Sequence, residues 1–321
     1  MKKIEALMED AVKSGIFPGG SIAIGDKNGL QYKKTVGLRQ LEPRVRPLKE
    51  DTMFDLASLT KVVGTTMVAL KLLEENKLLL TSTLGEFFKC SGAMAKITVK
   101  ELLTHTSGLP PHANLFKMTG EVYGNILAQH LGPKEVDYSC LGFILLGKIC
   151  GLAGTSPLDT LVEKYVTTPL GLNNTCYNPQ GLNFAVTEFD EELGQWLTGV
   201  VHDENARYMG GVSGNAGLFA NLADCAQFAQ MLLGQGAPII GADMFKMATS
   251  NLTHPGQYEG RGLGFAIKGQ AFGHTGFTGT SIWVGNGLYV VLLTNRVHPT
   301  RENTAIAEFR QVLHSSILGV Y

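Results

Sequence analysis

Ser58 and Lys61 stand three residues apart in FDLASLTKVVGTT, residues 54 to 66, where an apolar entry turns into a helical run. On a helix, positions i and i+3 share a face, so the lysine can reach the hydroxyl. A serine in the first turn has its own N–H among the unpaired donors of that helix end. The helix dipole there favours developing negative charge. The chemistry open to such a pair is attack by Ser58 with Lys61 as base. A lysine is a base only when neutral, so its reference pKa of about 10.4 must fall, at about 1.4 kcal/mol per unit. The apolar neighbours of Lys61 make burial, and with it that fall, the expectation. The 321 residues hold 13 Ser and 19 Lys, and this is the single Ser-x-x-Lys among them. Chance alone supplies about one, so the pair gains weight only from other groups that join it.

Two further stretches carry such groups. VDYSCLGF sets Tyr138 before an apolar helical run, and FGHTGFTGTS sets His274, Thr275 and Gly276 on a strand-like run near the C-terminus. Alone, each has a plainer reading: Tyr138 as a helix-start residue with its hydroxyl at the surface, His274 as an ordinary strand histidine. His105 and Thr106, in LLTHTSGLPP, are expected to satisfy loop backbone groups near a cleft rather than to react. His202, Asp203, Glu204 and Asn205 have a metal site's composition. Consecutive residues alternate in direction when extended, so a structured cleft-edge loop is expected and no metal. The glycines from Gly210 to Gly217 lack the Gly-Lys-Ser/Thr of a phosphate loop and are expected to allow close packing or unusual dihedrals. No cofactor is implied. Cys90, Cys140, Cys150, Cys176 and Cys225 include no Cys-x-x-Cys pair, so they read as free thiols.

The elements that must hold these residues are mixed. SIAIG and LQYKKTVGL read as strands around the turn DKNG. From Ser58 to about residue 235 the patterns are mostly helical, and from Gly262 four strand-like runs return. Apolar residues at helical spacing mark both ends: Ile4, Leu7, Met8, Ala11 and Val12, then Ile306, Phe309, Val312, Leu313 and Ile317. The expected fold is α+β. Residues 1–57 and 236–321 form an antiparallel sheet flanked by helices, residues 58–235 a mainly helical lobe, and the two make one domain with a cleft between lobes. A net charge of −1 with interspersed signs gives no footprint for nucleic acid. No apolar run reaches the roughly eighteen residues of a membrane span. Glu5, Glu9 and Asp10 interrupt any signal-like apolar stretch near Met1, so a cytoplasmic location is expected. The sequence leaves the oligomeric state open.

The order Ser58-x-x-Lys61, Tyr138, His274-Thr275-Gly276 resembles the serine β-lactamase and penicillin-binding protein superfamily. LLTHTSGLPP is similar to its class C-like esterase and carboxypeptidase members, and GVVHDENARYMGG and GNAGLFANLADCAQFAQMLL to a subgroup called serine hydrolases. The resemblance runs from about Gly19 to Asn295 and implies a β-lactamase/transpeptidase-like fold with acyl transfer in two stages. Ser58 would attack a carbonyl and Lys61 take its proton. Tyr138 would pass a proton to the leaving group and later activate water. The oxyanion would sit between the N–H groups of Ser58 and Phe277, donors that contribute about 3 kcal/mol or more each. His274 would line the opposite wall and orient Tyr138 or the substrate.

Two departures from the family pattern bear on substrate. Cys140 stands two residues after the tyrosine, where penicillin-recognising members carry Asn, and a thiol cannot replace a carboxamide that donates and accepts. His274 stands where many lactamases carry Lys, and a largely neutral imidazole anchors a carboxylate poorly. Both tilt the expectation to a serine acyl hydrolase of small esters. The alternatives are a D-Ala-D-Ala carboxypeptidase or β-lactamase, and a penicillin-binding or sensor protein that acylates without turnover. The expected partner is a small-molecule ester, amide or peptide substrate.

Overall fold

The computed structural model describes residues 1–319. The chain opens with helix α1 (Lys2–Lys13), the hairpin β1 (Gly19–Asp26) and β2 (Gly29–Gln40), and the short strands β3 (Arg46–Pro47) and β4 (Phe54–Asp55). In the helical half that follows, the site draws on α2 (Met67–Glu74), entered through a π-helical turn at Lys61–Thr66, on α3 (Val99–Leu103) and on α4 (Cys140–Ala153). Short strands β5 (Cys176–Tyr177), β6 (Phe189–Asp190), β7 (Gln195–Trp196) and β8 (Leu218–Ala220) lead to α5 (Leu222–Leu233). Strands β9 (Glu259–Arg261), β10 (Ala266–Lys268), β11 (Ala271–Thr275), β12 (Ser281–Gly285) and β13 (Leu288–Thr294) precede the last helix, α6 (Ile306–Leu318).

Eight strands form one antiparallel sheet in the order β3-β2-β1-β13-β12-β11-β10-β9. The first and last long strands meet at its centre, paired from Gly20↔Thr294 to Asp26↔Leu288. Successive side chains on a strand point to opposite faces. Ile22, Ile24, Val290 and Leu292 therefore pack with Met8, Phe309 and Leu313 of the terminal helices, while Ala23, Val291 and Leu293 join the larger core shared with the helical half. Burial on both faces explains the unbroken apolar run LYVVLLT in β13. The mixed fold and antiparallel sheet expected from the sequence are what the structure shows.

The expected division at residue 235 needs one correction. Helix α5 lies inside the segment 58–235 assigned to the helical lobe, yet it packs on β1, β12 and β13 and covers the second face of the sheet. Periodicity reveals that Leu222, Cys225, Ala226, Ala229 and Leu232 share a face, but not what that face meets. The last two residues of the segment 236–321 lie outside the described residues.

A small sheet, β4-β8-β5, ties the two halves together through Phe54↔Ala220, Asp55↔Phe219 and Tyr177↔Leu218. Its strand β4 leads directly into Ser58. Among the described residues, no single helix is long and apolar enough to cross a membrane. A cleft of about 710 Å³ opens where the turn after β4, the start of α4 and the end of β11 converge.

Candidate active site

Ser58 lies in the turn between β4 and the helical run, and Ala57 before it takes the left-handed conformation at φ 47°. A non-glycine residue pays strain there, and such strain collects at functional turns. The fully buried Asp55 carboxylate braces that turn. Its Oδ1 accepts from the Ala57 N–H at 2.8 Å and its Oδ2 from the His202 N–H at 2.7 Å. One turn on, the buried Lys61 donates from Nζ to Ser58 Oγ at 2.9 Å, to the Asn215 carbonyl at 3.0 Å and to Cys140 Sγ at 3.4 Å. All three ammonium protons thus have acceptors.

The charge state of Lys61 differs from the sequence expectation. Burial pulls its pKa down, as reasoned, but Cys140 first, then Tyr138 and Asp203, outweigh it and hold the group above the ordinary lysine value. The resting site therefore contains an ammonium. The apolar neighbours supplied the desolvation but not the sign, because the sulfur and the phenol arrive from the start of α4 and the residues just before it, almost eighty residues away in sequence.

The glycine passage brings in the Asn215 carbonyl. Gly214 presses on α4 so closely that a Cβ there would lie 2.0 Å from the Phe143 carbonyl oxygen. This close approach is the packing role expected of these glycines.

Tyr138 precedes Ser139, whose Oγ caps α4 by accepting from the Gly142 N–H at 3.1 Å. The Tyr138 ring centroid lies 5.0 Å from Lys61 Nζ. Its hydroxyl is buried and makes no hydrogen bond of normal geometry among the described residues. Burial raises the phenol's pKa, while Lys61 and Ser58 pull the other way. Cys140, the first residue of α4, lines the same cleft. His105 accepts the Ser139 N–H at 3.1 Å, a loop backbone group as expected, whereas the Thr106 hydroxyl pairs with the side-chain hydroxyl of Thr104 at 2.8 Å.

The opposite wall is the end of β11. His274 Nδ1 lies 2.8 Å from the Thr275 carbonyl, which assigns the ring proton to Nδ1 and leaves Nε2 as a buried acceptor without a partner among the described residues. Burial, then Arg261 and Lys61, keep this imidazole well below its ordinary pKa and hence neutral. Thr275 lines the cleft beside it. At Gly276 a Cβ would stand 2.6 Å from the Leu56 carbonyl oxygen, so only glycine lets this strand approach the turn that holds Ser58. Thr278 and Thr280 then donate their hydroxyls to the carbonyls of Asp55 and Leu56 at 2.8 and 3.0 Å. The N–H groups of Ser58 and Phe277 donate to no acceptor among the described residues. Arg296 fixes the Phe277 carbonyl from Nε at 2.7 Å and lies 4.2 Å over its ring, while His202 stacks on that ring at 5.6 Å.

The structure thus brings Ser58, Lys61, Tyr138, Cys140, His274, Thr275, Gly276 and Phe277 to one cleft. Residues 202–205 form its edge, where a loop is expected from the sequence but the structure starts a short helix, Glu204–Tyr208, capped by Asp203, and their side chains are engaged. His202 pairs with Glu188 at 3.0 Å, Asp203 caps Ala206, Glu204 pairs with Arg301 at 2.8 Å, and Asn205 holds the Leu115 N–H.

Sequence reasoning missed four residues: Asp55, Asn215, Arg296 and Arg261. The Arg261 guanidinium, at the end of β9, lies 5.6 Å from the Tyr138 ring and lines the cleft. It makes no hydrogen bond or salt bridge among the described residues. Burial lowers its pKa against the pull of Tyr138 and Glu259. No local pattern marks it, because it joins the site by strand pairing alone.

Comparison with known proteins gives the family and the fold. Residues 4–314 match the model of the family described as Beta-lactamase. An N-acetylmuramyl-L-alanine amidase of Bacillus subtilis strain 168 is 31% identical over an alignment covering 93% of this chain and 81% of that one. An Escherichia coli K12 protein provisionally named a D-alanyl-D-alanine carboxypeptidase is 30% identical over 88% of this chain and 79% of its own. Among solved structures, the octameric penicillin-binding protein homologue from Pyrococcus abyssi superimposes with a TM-score of 0.77 at 22% identity, covering 97% of this chain and 77% of that one. EstCE1, a hydrolase with promiscuous acyltransferase activity, does so with a TM-score of 0.74 at 20% identity, over 95% and 97%. These two likenesses bear on the fold.

Proposed function

The chain belongs to the Beta-lactamase family, a family of serine hydrolases, and from that premise we propose that Ser58 is its nucleophile, attacking substrates that carry a carboxylate near the scissile carbonyl. The observation that carries this reading is the 2.9 Å contact between Lys61 Nζ and Ser58 Oγ, in a cleft where two backbone N–H groups have no acceptor among the described residues. Ser58 Oγ bonds to the carbonyl carbon, and the oxyanion sits against the Ser58 and Phe277 amides. The leaving group departs with a proton, and water then releases the acyl group from Ser58.

Lys61 donates to Ser58 in the resting site, so it acts first as the cation that stabilises a neighbouring anion. The group that takes the serine proton is Tyr138 once the Lys61–Tyr138 cluster has lost one proton. Two interacting sites titrate as a pair, so the relevant pKa belongs to the cluster rather than to either residue.

Arg261 supports the substrate class. A guanidinium with no hydrogen bond or salt bridge among the described residues suits bidentate binding of a carboxylate. It takes over the role that the neutral His274 fills poorly. Peptides ending in a free carboxylate fit such an anchor, as do esters with an acidic substituent. A second reading, the small neutral ester, is favoured by Cys140, whose thiol offers no substitute for an amide-gripping carboxamide.

Two variants test the reading. Ser58→Ala should abolish hydrolysis of p-nitrophenyl acetate with the fold intact by circular dichroism, and unchanged turnover would refute the nucleophile. Arg261→Met should raise KM for a D-Ala-D-Ala-terminated peptide by about tenfold or more, the scale of a lost charge-assisted pair. Equal effects on the peptide and on p-nitrophenyl acetate would remove the carboxylate anchor and leave the small-ester reading.

A further inference from the structure

His105 is tied to Tyr138 from three sides. Its carbonyl accepts the Asp137 N–H at 2.9 Å, and its ring Nδ1 accepts the Ser139 N–H at 3.1 Å. The Ser139 N–H is in the peptide that follows Tyr138, and the Asp137 N–H is that of the residue before it. Its imidazole also packs on the phenol ring, centroid to centroid 4.6 Å, and on Phe143 of α4 at 5.0 Å. One residue thereby fixes the backbone on both sides of Tyr138 and one face of its side chain.

The backbone of His105 allows this double grip because it sits in the left-handed region at φ 56°, which turns carbonyl and ring towards the same segment. A histidine at such a φ is uncommon. The ring is almost fully buried. Since Nδ1 accepts, the ring proton resides on Nε2, and the imidazole is neutral. The charged and titratable groups around it, Arg261, Lys61 and His274, act with burial to keep it so.

We propose that His105 is the positioning residue of Tyr138: it holds the phenol at the angle and depth from which its oxygen exchanges a proton with Ser58 and the leaving group. The inference rests on Tyr138 being the proton carrier. The phenol hydroxyl makes no hydrogen bond of normal geometry among the described residues, so its placement rests on the ring contact with His105 and on the backbone bonds that His105 accepts. Misplacement on the ångström scale at a reacting group costs up to about a hundredfold in rate.

Two substitutions separate positioning from folding. His105→Gly relieves the left-handed backbone and removes both the acceptor and the ring. His105→Asn tolerates the same backbone and keeps a short acceptor for the Ser139 N–H. With p-nitrophenyl acetate, His105→Gly should lose about thirtyfold or more in kcat with KM within about threefold, and His105→Asn should recover about tenfold of that loss. Placed on Tyr138→Phe, His105→Gly should cost less than about twofold further, because a residue acting through Tyr138 has nothing left to position.

A full kcat in His105→Gly would overturn the proposal. So would the same loss in both backgrounds, or no recovery in His105→Asn, with melting curves showing all variants folded. Full activity of Tyr138→Phe alone would instead remove the proton-carrying role of Tyr138, and the positioning role with it, leaving the Ser58 reading to its own test.

Discussion

Ser58, Lys61, Tyr138 and Cys140 share a protonation problem that decides the pH behaviour. Lys61 and Tyr138 both hold their protons above the ordinary values. A cluster with both protons cannot accept a third from Ser58, so kcat/KM should rise with pH above neutrality, by at most about tenfold per unit for one proton. Cys140 is the largest influence raising Lys61 against burial, so Cys140→Ala should move that rise to lower pH. A profile flat from pH 7 to 10, or unmoved in the variant, would contradict this account of the charges. Cys140→Asn bears on a separate question. It supplies the carboxamide that the thiol cannot, and acylation by penicillins should become faster. An unchanged acylation rate would show that this position does not select against β-lactams.

At the scale of elements, the site depends on how β4, β11 and residues 202–205 are stapled together. Asp55 uses two oxygens for two N–H donors, Ala57 and His202. Asparagine offers one acceptor oxygen and would turn an N–H towards a second donor. Asp55→Asn should therefore lower kcat and also cost about 1–3 kcal/mol of stability, the scale of a buried unsatisfied donor. Urea unfolding together with kcat would read both effects, and wild-type values for both would remove the brace.

This staple was invisible in the sequence, whereas Ser58, Lys61, Tyr138 and His274 were legible there as an ordered set of motifs on the right kinds of element. The hairpin around DKNG, the strand LYVVLLT and the terminal helices were also legible, because periodicity and turn residues report local structure. What could not be read was anything made by strands or helices meeting across the fold. Arg261 reaches Tyr138 from β9, Cys140 reverses the expected shift of Lys61 from α4, and α5 lies on the sheet rather than in the helical lobe. Each depends on contacts between residues tens to over a hundred positions apart, for which a single sequence carries no periodic signal.

For the whole molecule, two cores share one sheet, so damage on either side should weaken one cooperative unit. Leu292→Ala beneath the terminal helices and Leu70→Ala in the helical half should each cost about 2–5 kcal/mol and leave a single urea transition. Two separated transitions would show that the halves unfold independently. Buried histidines set the acid limit. His105 and His274 lie well below the ordinary value, and His314 is pushed down to about 3 by burial and by Arg310 and Lys268. A group with a depressed folded pKa contributes stability above its unfolded value and loses it as pH falls towards the folded one. Stability should therefore be flat above about pH 6.5 and fall from there towards pH 3, which urea titrations across that range would follow.

The central claim, that Ser58 carries the acyl group, is tested most directly by intact-mass and peptide-mapping mass spectrometry after brief mixing with a fluorophosphonate. The expected result is one adduct on the peptide containing Ser58, loss of ester hydrolysis in proportion to labelling, and no adduct in Ser58→Ala. Labelling at another residue, or full hydrolysis by the labelled protein, would contradict it.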